Sequence, residues 1–248
     1  MPNNRALAEQ RLKHLKRKFQ RDSKYHSDYA QFMDTLLDKG YAEEVPTLEQ
    51  PGEIGKKWYL PHHGVHHPQK KKIRVVFDCA AEYKGTSLNK ELLQGPDLTS
   101  TLVGVLTRFR AEPVALMADI EGMFSQVAVP KESRDFQRYL WWPGGNLDKV
   151  PVEYRMKVHI FGATSSPSCA NYALKMTASD NNISNDPVVT NATQNNFYVD
   201  DLLKSLPTVN EGRPLASKLM DTCKKDGFRL TKWISNSREV LKSIPEEE

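Results

Sequence analysis

The stretch NNFYVDDLLKS, residues 195–205, decides how this sequence folds. Its apolar letters FYV and LL are typical of a buried β-strand, yet Asp200 and Asp201 stand side by side between them. Carboxylates are rarely buried unless they are paired or bound to a metal ion. Since Asp is a common turn residue, the stretch predicts a β-hairpin that turns at or near the two aspartates.

The segments around this hairpin predict the sheet to which it belongs. VALMAD, residues 114–119, reads as a short buried strand that ends in Asp119, and a helix over about 209–225 precedes a strand in FRLTKWIS. With the hairpin at 131–161 set aside, residues 114–234 read strand, helix, strand, strand, helix, strand. This order predicts a ferredoxin-like split βαβ antiparallel sheet backed by helices. The strands of Asp119 and Asp200 are neighbours in such a sheet.

The other elements predict a mixed α+β chain. Apolar residues at helical spacing predict helices within 3–40, and Asp97 is available as the cap of a helix at 97–110. Ser166 and Pro167 are typical of the start of a further helix. The segments 57–61 and 72–78 read as strands joined by the connection 62–71. Strands at 135–142 and 152–161 flank the turn PGGN.

Composition narrows the class of protein. The 248 residues carry a net charge of +4, and the apolar runs are far shorter than a membrane span. Three widely spaced cysteines without a CxxC pair (Cys79, Cys169 and Cys223) indicate a reducing compartment and no zinc module.

Two clusters of basic residues stand out against this modest net charge. Residues 1–25 carry eight basic side chains against Glu9 and Asp22, and KKKIR follows at 70–74. Such clusters attract polyanions such as nucleic acid. For the first cluster, a solvated helix face is an equal alternative.

The aspartates form the candidate metal site. Carboxylates gathered at the edge of a sheet suit Mg²⁺, which takes one or two of them together with substrate phosphates. A pair of such ions about 3.5–4 Å apart can activate an attacking hydroxyl and stabilise the leaving oxygen in phosphoryl transfer. Asp200 and Asp201 alone favour an exposed turn, whereas Asp119 on a neighbouring strand favours the metal site.

Two further motifs have structural interpretations. The histidines of HHGVHH, residues 62–67, have no cysteine or carboxylate beside them, so we expect a turn there rather than a metal site. Trp141 and Trp142 are expected to pack within a strand rather than to stack on bases.

Several motifs in order resemble those of reverse transcriptases. FYVDD resembles the YxDD box, and ADIEGMF resembles the first aspartate motif. FGATSSP resembles the segment that supports the template and the incoming nucleotide. IRVVFD resembles a strand of the fingers subdomain, and GFRLTKWISN resembles a later motif of the palm subdomain. Six segments are similar in sequence to BEL/Pao LTR retrotransposon polyproteins. They are RVVFDCA, SLNKELLQGPDL, DIEGMFSQV, FGATSSPSCANYAL, FYVDDLL and KWISN. The similarity covers about 25–240.

This resemblance implies a role for each matching residue. The metal-binding set is Asp119, Asp200 and Asp201, with the backbone carbonyl of Ile120 as a further ligand. The triphosphate is bound by Arg74 and by a fingertip lysine, for which Lys72 is the preferred position over Lys70 and Lys71. Phe124 matches the steric gate that favours deoxynucleotides, and Gly162 lies close to the nascent base pair. Phe161 replaces the glutamine of retroviral enzymes, and Lys232 matches a lysine near the departing pyrophosphate.

The resemblance also implies an organisation and a function. Residues 1–45 would form a basic helical segment, 46–112 the fingers, and 113–248 the palm with a fingers-like hairpin insertion at about 131–161, in the right-hand arrangement of polymerases. The chain would be the fingers and palm of an RNA-directed DNA polymerase, ending before the thumb, and would use two Mg²⁺ ions, or Mn²⁺. Its partners would be an RNA or DNA template with primer, a deoxynucleoside triphosphate, and the thumb and ribonuclease H regions of a longer polyprotein, with no membrane. A cytoplasmic virus-like particle is the expected location.

Two other functions stay open. The chain could be a nucleic-acid-binding remnant of a retrotransposon that no longer catalyses, or a nucleotide cyclase on a related sheet. FGATSSP and Arg74 favour a polymerase over a cyclase.

Overall fold

The computed structural model describes residues 1–53, 55–66, 73–180 and 186–248. These residues form a mixed α+β chain, as predicted. They divide into two compact units, each with its own hydrophobic core. Unit 1 comprises Met1–Leu93 and Ala128–Ser166, and unit 2 comprises Gln94–Val127 and Pro167–Glu248. The predicted functional divisions at residues 45 and 112 stay a prediction.

Two helices open unit 1, as the apolar periodicity predicts. They are α1 (Arg5–Arg21) and α2 (Ser23–Asp38). The buried face of α1 consists of Ala8, Leu12, Leu15 and Phe19. The Asp22 carboxylate accepts a hydrogen bond from the Tyr25 N–H and so caps α2.

Unit 1 also contains two antiparallel sheets. The first has the strand order β1 (Ala42–Glu44), β6 (Val152–Met156), β5 (Arg138–Trp141). The second is the hairpin of β2 (His62–His66) and β3 (Ile73–Phe77), in which Val65 lies opposite Arg74. The short helix α3 (Leu88–Glu91) follows.

The structure corrects the predicted first strand of this hairpin. The strand lies at His62–His66, within the predicted connection, and not at 57–61. Residues 57–61 belong to no strand and have one isolated bridge, between Tyr59 and Arg138. Because Trp58 and Leu60 are buried and donate their N–H groups to the carbonyls of Asp135 and Arg138, this segment lines the core without pairing with β3.

Three other predicted elements are shorter than expected. The helix predicted at 97–110 is α4 (Leu102–Phe109), which begins later because Thr101 caps it. Asp97 instead accepts a hydrogen bond from the Thr99 N–H in the preceding loop. The strand predicted from residue 135 begins at 138, after a 3₁₀ segment, and the strand predicted at 152–161 ends at Met156.

Arginine–carboxylate ion pairs connect the strands and loops around the first sheet of unit 1. Arg138 is fully buried, and its guanidinium contacts Glu153 at 2.8 Å and Asp135 at 2.7 Å. Arg155 contacts Asp135 at 3.0 Å and two further carboxylates, those of Glu43 and Glu49. Each buried guanidinium therefore meets at least two carboxylates, as buried charges require.

Unit 2 has the predicted split βαβ order. Its antiparallel four-stranded sheet runs β7 (Phe197–Tyr198), β8 (Asp201–Leu206), β4 (Val114–Ile120), β9 (Leu230–Ser235). The helices are α5 (Ser166–Asp180), α6 (Pro187–Asn195), α7 (Val209–Lys225) and α8 (Arg238–Leu241), besides α4. The predicted helix at 209–225 and the predicted hairpin are confirmed, whereas α6 and α8 are additional. No helix in the described part of the chain is both long enough and apolar enough to span a membrane.

Candidate carboxylate site

The register of β4 and β8 brings the aspartates together. Asp119 lies directly opposite Asp201 in the antiparallel pair. Side chains of directly opposed residues point to the same face of a sheet, about 4.5–5.5 Å apart at Cβ. The Ile120 N–H donates to the Asp200 carbonyl at 2.8 Å, which fixes the turn against the end of β4.

Strained backbone surrounds these carboxylates. Three described residues other than glycine have positive φ, and two of them, Val199 (56°) and Lys232 (55°), belong to this edge of the sheet. A β-branched residue is a genuine outlier in this region. Gly122 (φ 56°) turns the chain after β4. Since such conformations persist where surrounding structure holds them and cluster at functional sites, the strain favours a functional edge.

The negative charge at this edge is only partly compensated. Lys232 Nζ lies 2.7 Å from Asp119 Oδ1. Partial dehydration of the carboxyl group and repulsion from Asp200 and Asp119 raise the pKa of Asp201, and Lys232 offsets this in part. Like charges held close together are the physical cause of such a shift.

The donor types suit a hard divalent cation. Carboxylate oxygens are the ligands that Mg²⁺ prefers, and a bound cation would relieve the repulsion that raises the pKa of Asp201. Within residues 1–53, 55–66, 73–180 and 186–248, no three His, Cys, Asp or Glu side chains stand close enough to form a ready-made metal site. The carboxylate oxygens are therefore of the type that a divalent cation binds. In this structure, the Lys232 ammonium donates a hydrogen bond to Asp119 and balances its charge.

Phe124 is a further predicted site residue of unit 2. It lies in the 3₁₀ segment Met123–Gln126, which follows β4 directly. Its ring is partly buried against the core of unit 2. It therefore serves as core packing, and its predicted role as a steric gate stays a prediction.

The remaining predicted nucleotide-binding residues belong to unit 1. Arg74 is on the exposed face of the β2–β3 hairpin, and Lys72, like Lys70 and Lys71, lies outside the described residues. Phe161 is 75 % exposed. Gly162 has φ 97°, a backbone conformation that favours glycine.

Asn89 is a positioning residue of unit 1 that sequence reasoning missed. Its Nδ2 donates to the Gly162 carbonyl at 2.9 Å, and its Oδ1 accepts from the Thr164 N–H at 2.9 Å. One side chain thus clamps both ends of the loop after Phe161. The only signal was SLNKELL, a segment of the resemblance without an assigned role.

The histidine-rich stretch is structural where the structure describes it. His62 is buried, its Nδ1 meets the Tyr29 hydroxyl, and its Nε2 meets the Leu140 carbonyl at 2.9 Å. Burial lowers the pKa of His62 to about 4, so the ring is neutral near pH 7. The turn predicted here was wrong for His62–His66, which form β2. Trp141 and Trp142 are buried in packing contacts, as expected.

Comparison with known proteins identifies solved structures that share this architecture. No protein-family model matches the sequence, and no curated protein matches it. Three solved structures of a foamy viral protease–reverse transcriptase match the fold, with 18–19 % sequence identity. The chain has a reverse-transcriptase-like fold.

The extent of the match is large for this chain and small for those proteins. The TM-scores are 0.62 for the double-stranded DNA complex of the form denoted dRH, 0.63 for the RNA/DNA hybrid complex and 0.57 for another double-stranded DNA complex. The match covers 83 %, 86 % and 82 % of this chain, respectively. It covers 30 %, 24 % and 36 % of the viral chains, so this chain spans about a quarter to a third of their length.

Proposed function

We propose that this chain adds deoxynucleotides to a primer as an RNA-directed DNA polymerase. The observation that carries the proposal is Asp119 directly opposite Asp201 across β4 and β8, with Asp200 in the adjoining turn. This arrangement lies in a split βαβ sheet of a reverse-transcriptase-like fold. The matching structures contain double-stranded DNA or an RNA/DNA hybrid, which favours nucleic acid as the partner of this chain as well.

The three aspartates and the Ile120 carbonyl would hold two Mg²⁺ ions, or Mn²⁺. When bound, such ions activate the attacking primer hydroxyl and neutralise charge on the leaving oxygens. The strained turn at Val199 would keep Asp200 and Asp201 in place before substrate binds. Catalysis in such a site comes mainly from positioning and from electrostatic stabilisation.

Other residues would bind and select the nucleotide. Arg74 and a fingertip lysine, Lys72, would grip triphosphate oxygens, for which the planar guanidinium is suited. Phe124 would exclude a ribose 2′-hydroxyl by steric clash. Gly162 and Phe161, in the loop clamped by Asn89, would lie at the nascent base pair. Lys232 would stabilise the departing pyrophosphate.

We also propose a more specific origin for the chain. The wording of the motifs supports a BEL/Pao-type retrotransposon polyprotein with thumb and ribonuclease H regions, acting in a cytoplasmic virus-like particle. A non-catalytic nucleic-acid-binding remnant is the second candidate. It is favoured by the absence of a ready-made metal site among the described residues.

Primer extension on an RNA template separates these candidates. We expect the natural chain with Mg²⁺ to extend a DNA primer with deoxynucleotides, and Asp200→Asn to reduce the rate on the order of 1,000-fold. Asp221→Asn removes the same charge from the exposed side of α7 and should leave the rate unchanged. If natural and Asp200→Asn chains bind primer–template equally and both fail to extend it, the remnant is the correct function.

A further inference from the structure

Helix α1 of unit 1 carries positive charge that is largely unpaired with carboxylates among the described residues. It bears seven basic residues and one acidic residue, Glu9. Within the described part of the chain, Arg5 alone among the seven lies within ion-pairing distance of a carboxylate. The apolar face of α1 is buried in the core of unit 1, so the basic residues project from its exposed side. They are Arg5, Arg11, Lys13, Lys16, Arg17, Lys18 and Arg21.

A groove runs along one side of α1. This groove has a volume of about 380 Å³ and lies between α1 and the loop before β6. Its rim carries Arg5, Lys13 and Lys16 from α1 and Lys149 from the loop, while its floor includes Leu12 and Leu140. The Lys16 ammonium donates to the Leu147 carbonyl at 2.6 Å, which ties the loop to the helix. Glu9 is the one acidic residue of the lining, and Arg5 already pairs with it.

A second groove runs along another side of the same helix. It has a volume of about 310 Å³, its rim includes Arg11, His14 and Lys18 from α1, and its floor includes Leu15 and Tyr25. Facing them is His63 of β2, and Asp78 is the one acidic residue of the lining. Since alternate residues of paired strands share a face, His63 lies on the same exposed face of the hairpin as Arg74. Basic side chains therefore continue from α1 across the hairpin.

The chemistry of these grooves selects a nucleic-acid strand among polyanions. Basic rims suit a chain of phosphates, and apolar floors suit the flat faces of bases or the sugars. Volumes just above 300 Å³ are at the lower end of those of ligand pockets, about 300–1,000 Å³. A lipid surface is disfavoured because the apolar face of α1 is buried, whereas membrane-binding helices expose theirs.

We propose that α1 and its two grooves bind single-stranded RNA or DNA without reading its sequence. The phosphates lie against the basic rims, and the bases or sugars lie on the apolar floors. This binding uses no residue of the carboxylate site and persists when that site is disabled. A rigid duplex cannot follow both grooves and contacts only the exposed ridge of α1.

Fluorescence anisotropy with labelled 20-nucleotide oligo(dT) and oligo(U) tests this proposal. The groove variant, Arg11→Gln/Lys13→Gln/Lys149→Gln, should bind both strands at least tenfold more weakly at moderate salt. Its plot of log affinity against log salt should be shallower by about 2, since each lost phosphate contact removes about 0.7 from the slope for a single strand. Glutamine preserves helix propensity, and circular dichroism verifies folding.

A matched control removes the same charge elsewhere. Arg213→Gln/Lys224→Gln/Lys225→Gln changes three exposed residues of α7 in unit 2 and should alter affinity by less than twofold. Equal weakening by both triple variants, or none by the groove variant, would overturn the proposal. So would equally tight binding of polyglutamate or of anionic phosphatidylserine vesicles, and so would the same tenfold loss for a 20-base-pair duplex. The Asp200→Asn chain should bind the strands as the natural chain does, which separates this surface from catalysis.

Discussion

The two units treat charge in opposite ways. In the sheet of unit 1, Arg138 and Arg155 are buried, and each meets at least two carboxylates. At the sheet edge of unit 2, the carboxylates of Asp119, Asp200 and Asp201 lie near one another, and Lys232 pairs with Asp119 and partly offsets the repulsion on Asp201. Matched charges in a core define a structure, whereas unmatched charges at a partly exposed edge leave free energy for a ligand to gain.

The backbone shows the same contrast. The strands of unit 1 contain no described residue other than glycine with positive φ, whereas Val199 and Lys232 adopt it beside the carboxylates of unit 2. Strain of this kind costs about 1–3 kcal/mol per residue. The edge of unit 2 therefore gives up stability that the sheet of unit 1 retains, and substitutions in both units test the contrasts in charge and in backbone strain.

The largest effect is expected from Glu153→Gln in unit 1. The substitution takes one of two carboxylates from the buried Arg138 and also one of the two carboxylates that pair with Arg5. We expect a loss of about 3 kcal/mol in the free energy of unfolding, because the buried guanidinium of Arg138 loses one of its two carboxylates. Urea unfolding measures it, and tryptophan fluorescence reports mainly on unit 1, which holds three of the four tryptophans, Trp58, Trp141 and Trp142.

Glu9→Gln is the matched control, since Glu9 is the other carboxylate on Arg5 and is exposed. Its loss should stay below about 1 kcal/mol, as for other exposed ion pairs. Equal losses for the two variants would show that the network of unit 1 is not the stabilising feature described above.

A smaller effect on the free energy of unfolding is expected when glycine is compared with alanine at one position in each unit, and its sign should differ between the units. At Val199, the Gly variant should be about 1 kcal/mol more stable than the Ala variant, since alanine retains the cost of positive φ. At Val76 in β3, the Gly variant should be about 0.5–1 kcal/mol less stable than the Ala variant, as in ordinary strands. Chemical denaturation of the four variants checks both signs, and a less stable Gly variant at Val199 would contradict the strain.

The smallest effect is expected from Asp201→Asn, and it depends on pH. Because the folded chain raises the pKa of Asp201 above its ordinary 3.8, this group favours folding below pH 3.8. That contribution is lost as the pH rises through the folded-state pKa. Asp201→Asn should therefore stabilise the chain at pH 7, by less than about 1 kcal/mol for so accessible a group, and lose this advantage in acid.

Asp135→Asn in unit 1 should show the reverse. Burial alone would raise the pKa of Asp135, but hydrogen bonds from Arg138 and Arg155 outweigh it, and the pKa is lowered. Its contribution is present above pH 3.8 and lost as the pH falls through the folded-state pKa. Asp135→Asn should destabilise the chain at pH 7 by about 2 kcal/mol, with a smaller difference in acid. Thermal unfolding across pH 3–7 compares the two, and equal signs would contradict the contrast.

Much of unit 2 could be predicted from sequence because its signals are local. VALMAD, the helix at Val209–Lys225 and the strand near Leu230 each carry their periodicity within a few residues. Their order then restricts the sheet to few topologies. The juxtaposition of Asp119 with the hairpin follows from that topology alone.

Unit 1 was harder to predict because its elements depend on distant partners. KWYLP reads as a strand by composition, yet His62–His66 pairs with β3 because buried His62 has Tyr29 and Leu140 as partners. Asp135 lies three residues before Arg138, but Glu153, its other carboxylate partner, is fifteen residues away, so the sequence does not show that the Arg138 side chain is buried. Long-range partners of this kind decide which of two plausible segments forms a strand.

The sequence by itself determined the α+β class, the split βαβ order and the hairpin that carries Asp200 and Asp201, because alternation and helical spacing are properties of neighbouring residues. The tertiary structure alone decided that Asp119 faces Asp201 in register, that Lys232 reaches Asp119, and that Val199 holds a strained conformation. Register and ion pairing join residues about 80 to 110 positions apart, and only the folded sheet brings them within a few ångströms of one another.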